Sequence, residues 1–481
     1  MPDDAGHRRM SVSQTITQEL DADRRRWLGL IVLLAGAFLP PLDFFIVNVA
    51  LPSIRDDFHA SSSMMQLVVS AYATTYAVML ITGGRLGDLY GRRNTFLWGM
   101  GMFAAASLLC GASWSPVSLV AGRVLQGFSA AIMAPQALAS INAIFPDHEK
   151  PQALSLYSLT FGLASMAGLF LGGALIALDI FGLGWRTIFL INIPVIAIAI
   201  PSAYSLLKET RSERPKRLDV GGAVLIAATL AALIVPLIEG REAGWPAWSF
   251  ISLACVLPLG LALWRYELRL EAEGLDPIFA PSLLRTSGLK KGLLAALLFY
   301  ALAAFWLVFS VYQQAGLGHS PFQAGLSILP AAAGFIVGPL INPWLARRAG
   351  KYAAATGMLF QVLGLPYTAV LVTRGSPEYL PWPLFLIGMG QGVGLPNLVG
   401  NIVKLVERQS SGLASGLVTS MFQISGALSV AIVGGLFFTL AGGAQDRKLI
   451  ADAYAASAIA IAACILIAAV LSVALPKRQH I

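Results

Sequence analysis

Two charged residues stand where the sequence around them is apolar. Asp43 lies in PLDFFIVNVALPSI (41–54), and Arg123 opens RVLQGFSAA (123–131). A carboxylate at bilayer depth can take up and release a proton. A charge there costs about 2.5–3.5 kcal/mol even on lenient insertion scales, so it is functional by default. Asp43 is seven residues before Ala50, the outer end of its run, and Arg123 is about six residues past the outer start of its own. At about 1.5 Å per residue both sit roughly 10 Å below the same boundary. Opposite charges at one depth should pair, because either alone would be costly, and protonating Asp43 would then release Arg123. Gln126, one turn beyond Arg123, faces nearly the same way. It is expected to join the pair, to contact a bound molecule, or simply to fasten two helices. The competing reading of Asp43 is a brace that never titrates.

The elements that must hold these groups are membrane helices. Apolar residues make up 57% of the 481 and charged ones 12%, against roughly 45–50% and 25% in soluble domains. Apolar stretches of about 20 residues recur, matching a hydrocarbon core of about 30 Å. Backbone groups in lipid must be satisfied within the segment, which selects helices. Fourteen are read, with cores at 27–50, 66–83, 94–112, 117–144, 153–178, 187–207, 220–238, 249–264, 290–312, 322–345, 352–373, 382–403, 412–439 and 453–475. With both termini in the cytoplasm, about 26 of the 33 Lys and Arg fall on the cytoplasmic side, so the basic excess fixes the orientation and favours an even count. The net charge of +8 is therefore topological and does not point to nucleic acid.

Between the second and third runs lies GGRLGDLYGRR (83–93), a short charged hairpin. It resembles the loop between helices 2 and 3 of major facilitator transporters, Gly-x-Leu-Ala/Gly-Asp-x-x-Gly-Arg-Arg/Lys. NPWLARRAGK (342–351) is a degraded copy in the second half, with Arg347 in place of Asp88. Such repeats are how secondary transporters build two bundles around a midplane site. The polar interruptions KETRSERPKRLD (208–219) and 265–290 bracket a seventh and an eighth helix, leaving six on each side. This arrangement resembles the fourteen-helix drug:proton antiporter branch of that superfamily over nearly the whole chain. The resemblance implies an all-α integral membrane protein with the major facilitator fold, two six-helix bundles plus two inserted helices. The expected divisions are a tail at 1–26, bundles at 27–207 and 290–475, linkers with the inserted pair at 208–289, and a tail at 476–481.

Several residues take expected roles from this resemblance. The 41–54 segment is similar to the branch's helix 1 signature, with Phe44 and Phe45 where smaller or polar residues are common. The Arg123–Gln126 segment is similar to its helix 4 motif, so Asp43, Arg123 and Gln126 are the expected proton-coupling residues. Gly84, Asp88, Gly91, Arg92 and Arg93 form the expected conformational latch, with Asp88 meeting the helix start at Ser410, Ser411 and Gly412 when the protein opens outward. GLASMAGLFLGGAL (162–175) matches the Gly-rich antiporter motif at Gly168, Gly172 and Gly173, but Leu169 replaces its proline. WRTIFLINIP (185–194) matches the start of the sixth helix. The candidate substrate contacts are Asn48, the seven-residue series Phe299, Trp306 and Gln313, and the pair Asn397 and Asn401. The aromatic series would form a cavity wall or serve as ordinary filler.

Other chemistries are not suggested. No Gly-x-x-x-x-Gly-Lys-Ser/Thr phosphate loop occurs, and Gly388, Gly390 and Gly392 mark helix packing rather than a dinucleotide site. Cys110, Cys255 and Cys464 show no paired or metal-ligand spacing. His7, His59, His148, His319 and His480 read as solvated surface residues. The expectation is a non-enzymatic, proton-gradient-driven exporter of lipophilic or cationic small molecules in the plasma membrane. It has no cofactor, metal, nucleic acid or obligate protein partner; its partners are substrate, protons and lipid. An exporter or symporter of one metabolite, and a non-transporting sensor or scaffold, are the alternatives.

Overall fold

The computed structural model describes residues 4–146, 149–211, 218–406, 411–442 and 446–476, with side chains from Arg25 onward. Among the described residues it contains helices and no strand. In the first half these are α1 (Asp4–Phe58), α2 (Ser62–Tyr90), α3 (Arg92–Gly111), α4 (Pro116–Ile144), α5 (Lys150–Leu178) and α6 (Asn192–Leu206). Next come α7 (Val220–Glu242) and α8 (Ala247–Ala272). The second half holds α9 (Leu289–Phe299), α10 (Ala303–Val311), a short helix Pro321–Leu326, α11 (Leu329–Ala349), α12 (Ala353–Thr373), α13 (Pro381–Val403), α14 (Ser411–Ser429), α15 (Gly435–Ala441) and α16 (Arg447–Val473).

Eleven helical stretches among the described residues are long and apolar enough to cross a membrane, against the fourteen read from sequence. One of the fourteen, the 29-residue α5, is not among the eleven because several of its side chains lie outside the described residues. Pro321–Thr373 counts as one stretch of 53 residues but contains two of the runs read separately. The glycines, prolines and asparagines of Pro381–Val403 dilute its hydropathy. α1 also begins well before residue 27, because 10–28 contains no proline or glycine to stop it.

Two helices read as regular are interrupted. The expected 290–312 helix contains a 3₁₀ turn at Tyr300–Leu302 and a π turn at Tyr312–Gly316. A second π turn, Val430–Gly434, separates α14 from α15. Single π turns of this kind recur at functional positions.

Within the first half α1 packs on α5, and α4 lies against both α2 and α3; in the second, α13 lies against α11 and α12, and α12 against α16. Gly168 and Gly172 let α5 approach closely: a methyl on Gly168 would lie 2.6 Å from the Leu42 carbonyl oxygen. The halves meet through α2 with α14 and α5 with Pro321–Leu326. At the end of α1 farther from the 83–93 loop, Gln314 Nε2 donates to the Val49 carbonyl at 3.0 Å. The two halves are joined there.

α8 stands apart. Only 6% of its most apolar stretch is buried, so its surroundings are lipid. Its uncharged part, 247–264, is about 27 Å long at 1.5 Å per residue, which matches the hydrocarbon core. From Arg265 onward the helix is charged and projects beyond it.

Candidate functional site: a buried ion pair and the loop beneath it

Pro40 and Pro41 lie inside α1 just before Asp43. Each removes an N–H from the helix ladder, and the Tyr72 hydroxyl of α2 donates to the Pro40 carbonyl at 3.0 Å. Asp43 and Arg123 are both fully buried, and Arg123 Nη1 donates to Asp43 Oδ2 in a short contact. The pairing expected from depth is present.

Around the pair the polar groups are dense. Gln126 Nε2 and Asn192 Nδ2 each donate to Asp43 Oδ1 at 3.0 Å. The same two amides donate to Ser107 Oγ at 3.0 and 3.2 Å. Arg123 donates through Nε to the Val68 carbonyl at 3.0 Å and through Nη1 to Gln126 Oε1 at 2.9 Å. Its guanidinium carbon sits 4.3 Å from the Tyr72 ring centroid, a contact worth about 2 kcal/mol when desolvated. The Cys110 thiol also donates to Gln126 Oε1, at 3.2 Å. Five helices, α1, α2, α3, α4 and α6, thus converge on one carboxylate. Ser107, Asn192 and Tyr72 are members that sequence reading missed; Asn192 lay in a quoted segment, where its polar side chain in an apolar helix was the available signal.

The candidate substrate residues are dispersed. Asn48 is buried one turn above Asp43, with Nδ2 bonded to the Phe44 and Phe45 carbonyls and Oδ1 unpaired. Phe299 packs beside Phe422 and Gly394. Phe305, Phe309 and Tyr312 surround Tyr454 of α16, and Trp306 lies edge-on to Phe305; this stretch is packed core. Gln313 pairs with His319 Nδ1 at 2.7 Å. Both line a cavity of about 390 Å³ with Glu378, which corrects the reading of His319 as purely solvated. His7, His148 and His480 lie outside the residues with described side chains. Asn397 Nδ2 donates to Asn342 Oδ1 at 2.5 Å, and Asn401 Nδ2 to the Lys351 carbonyl at 3.1 Å.

The 83–93 loop turns at Gly91, whose φ of 97° favours glycine. Asp88 Oδ1 accepts from Arg92 Nη2 at 3.3 Å, and Arg92 Nη1 reaches the Ala139 carbonyl at 3.2 Å. The expected partner of Asp88 at Ser410 lies outside the described residues, as does the side chain of Ser411. Two further anchors were not foreseen. The Glu209 carboxylate accepts the backbone N–H groups of Arg93 and Asn94 at 3.1 and 3.2 Å, occupying the positive end of α3. Arg85 donates through Nη1 to the Asp276 carbonyl at 2.6 Å and through Nη2 to the Pro277 carbonyl. Burial pulls the Arg85 guanidinium below its ordinary value, and Asp276, Asp219 and Glu267 oppose that. Both polar interruptions of the chain therefore close onto this loop.

A helical membrane protein with a midmembrane ion pair and this loop is a transporter rather than an enzyme. The profile described as Major Facilitator Superfamily matches residues 33–430, and the chain belongs to that family. It is 35% identical over 424 residues to a probable actinorhodin transporter of Streptomyces coelicolor, covering 87% of this chain and 73% of that one. It is 34% identical over 422 residues to a puromycin resistance protein of Streptomyces alboniger, covering 85% and 82%. A cephamycin export protein of Amycolatopsis lactamdurans is 32% identical over 462 residues, covering 93% and 92%. The fold is also that of a solved peptide transporter in complex with sulfate, at a TM-score of 0.65, 15% identity and coverage of 93% and 94%.

Proposed function

We propose that this protein is a proton-coupled exporter of lipophilic or cationic small molecules in the plasma membrane. The basic 83–93 loop and both termini face the cytoplasm, and the proton gradient supplies the energy with no cofactor. The observation that carries the reading is the fully buried Asp43–Arg123 pair with its amide donors. A charge pair this enclosed is expensive to break and leaves one partner stranded. A proton arriving on Asp43 neutralises it and loosens Arg123, Gln126 and Asn192 together. Helices α1, α4 and α6 then lose a common anchor, which converts a protonation into a rearrangement. Relatives named for actinorhodin, puromycin and cephamycin support efflux of such compounds.

In this reading 27–207 and 290–475 are the moving bundles, 208–289 holds the inserted pair, and 1–26 and 476–481 are cytoplasmic tails. Gly84, Asp88, Gly91, Arg92 and Arg93 latch the bundles when the outer side opens. Substrate contacts are drawn from Asn48, Phe299, Trp306, Gln313, Asn397 and Asn401. Leu169, fully buried in an unbroken α5, and the Phe44–Phe45 pair favour a second reading, transport of one particular metabolite. Proteoliposomes loaded with puromycin or a fluorescent lipophilic cation and given a pH jump test both. Transport with counter-moving protons, abolished in Asp43→Asn, is the expected result. Undiminished gradient-driven transport by that variant would remove Asp43 from the mechanism.

A further inference from the structure

A buried pair of carboxylates lies apart from Asp43, at the foot of the inserted helices. Asp219 precedes α7 and is 4% exposed; Glu267, in the charged foot of α8, is fully buried. Their oxygens converge over Gly222, where an added methyl would collide with both Asp219 Oδ2 and Glu267 Oε1. Asp219 is held by backbone donors. Its Oδ1 accepts the Gly222 N–H at 2.7 Å, its Oδ2 accepts the Ile278 N–H at 3.2 Å, and the Tyr266 hydroxyl approaches it.

Glu267 has the opposite environment. The backbone at Ile278 and Phe279 approaches it, yet neither carboxyl oxygen completes a well-formed hydrogen bond. Two ionised carboxylates cannot share a dry site without severe repulsion, and a single shared proton removes it. Among the described residues, the other charged groups facing the pair are Arg85 from α2, Glu273 and Asp276. We infer that Asp219 and Glu267 form a second proton-binding site, with the proton on Glu267 donated to Asp219. That proton holds the inserted helix pair closed against the 83–93 loop.

The physical coupling is short. Arg85 is fixed to Asp276 and Pro277, and Asp219 is fixed to the next residue, Ile278. When the proton leaves for water, the carboxylates repel, α7 and α8 separate at their feet, and the 276–278 segment moves away from Asp219. The loop that carries Asp88 then loses its Arg85 anchor. Rising pH on that face should therefore free the loop, and falling pH should clamp it. The site is separate from Asp43 and holds whether or not Asp43 couples transport.

Infrared difference spectroscopy of the full-length protein across a pH titration tests this directly. A protonated-carboxyl C=O band that disappears as pH rises should persist in Asp43→Asn and be lost in Glu267→Gln. Spin labels at exposed Tyr90 and Arg269 add a second readout. Their separation should lengthen with pH in the native protein and stay short at every pH in Glu267→Gln, which mimics the protonated form. Gly222→Ala, which wedges the pair apart, should keep the separation long, and it serves should Glu267→Gln fail to fold. A band unaffected by Glu267→Gln, or a label distance independent of pH in the native protein, would overturn the inference.

Discussion

The Asp43–Arg123 pair can be weighed by removing its members singly and together. In Arg123→Met the carboxylate keeps Gln126 and Asn192 but loses its cation, and breaking a buried pair this way costs about 3–5 kcal/mol. In Asp43→Leu the guanidinium retains the Val68 carbonyl, Gln126 Oε1 and the Tyr72 face, so its loss should fall near the lower end of that range. The double variant strands neither charge, and Gln126 and Asn192 still have Ser107 to bond. Its destabilisation should be smaller than the sum of the singles by up to about 3 kcal/mol, the coupling expected of residues in one network. Denaturant unfolding of the purified protein in detergent measures all four corners of the cycle. Transport should be lost in every variant, so stability is the discriminating readout. If the two costs add to within about 0.5 kcal/mol, the pair is not the energetic unit described here.

Asp88→Asn should move the resting population toward the conformer open on the 83–93 face. A carboxylate at a helix start contributes about 0.3–1 kcal/mol when exposed, so the shift is a few-fold; an unchanged distance distribution between labels on the two halves would dismiss the latch. Gly168→Val should force α5 away from α1 next to Asp43 and destabilise by about 1–3 kcal/mol, as overpacking does. Gly101→Ala, where a methyl meets nothing within 4 Å, should be near neutral, and equal unfolding midpoints for the two would contradict the close approach.

Legibility in the sequence followed depth and periodicity. Asp43 and Arg123 could be paired because each stood alone in an apolar run and their distances from one boundary agreed. Ser107 and Asn192 were not placed, since a small polar residue in a membrane helix carries no sign of which neighbour it faces. The seven-residue series Phe299, Trp306 and Gln313 presumed an unbroken helix, whereas the π turn at Tyr312–Gly316 lies where Gln314 crosses to Val49 of the other half. The anchors Arg85 and Glu209 bind partners 191 and 116 residues away, and nothing in local patterning encodes such contacts. The motif itself was plain; what holds it in place was not.

The foot of α8 gives the bilayer a mechanical part to play. Beyond the 18 uncharged residues of 247–264, eight more continue the same helix for about 12 Å past the hydrocarbon core. Lipid surrounds almost all of the apolar portion, so its tilt answers to membrane thickness more readily than that of the enclosed helices. A thinner bilayer leans the rod over, and the foot swings through an arc that grows with its length. Glu267 rides on that foot, buried beside Asp219 and within electrostatic reach of Arg85. Lipid composition thus becomes a lever arm's input, and the same loop that answers to charge would also register strain from the surrounding membrane.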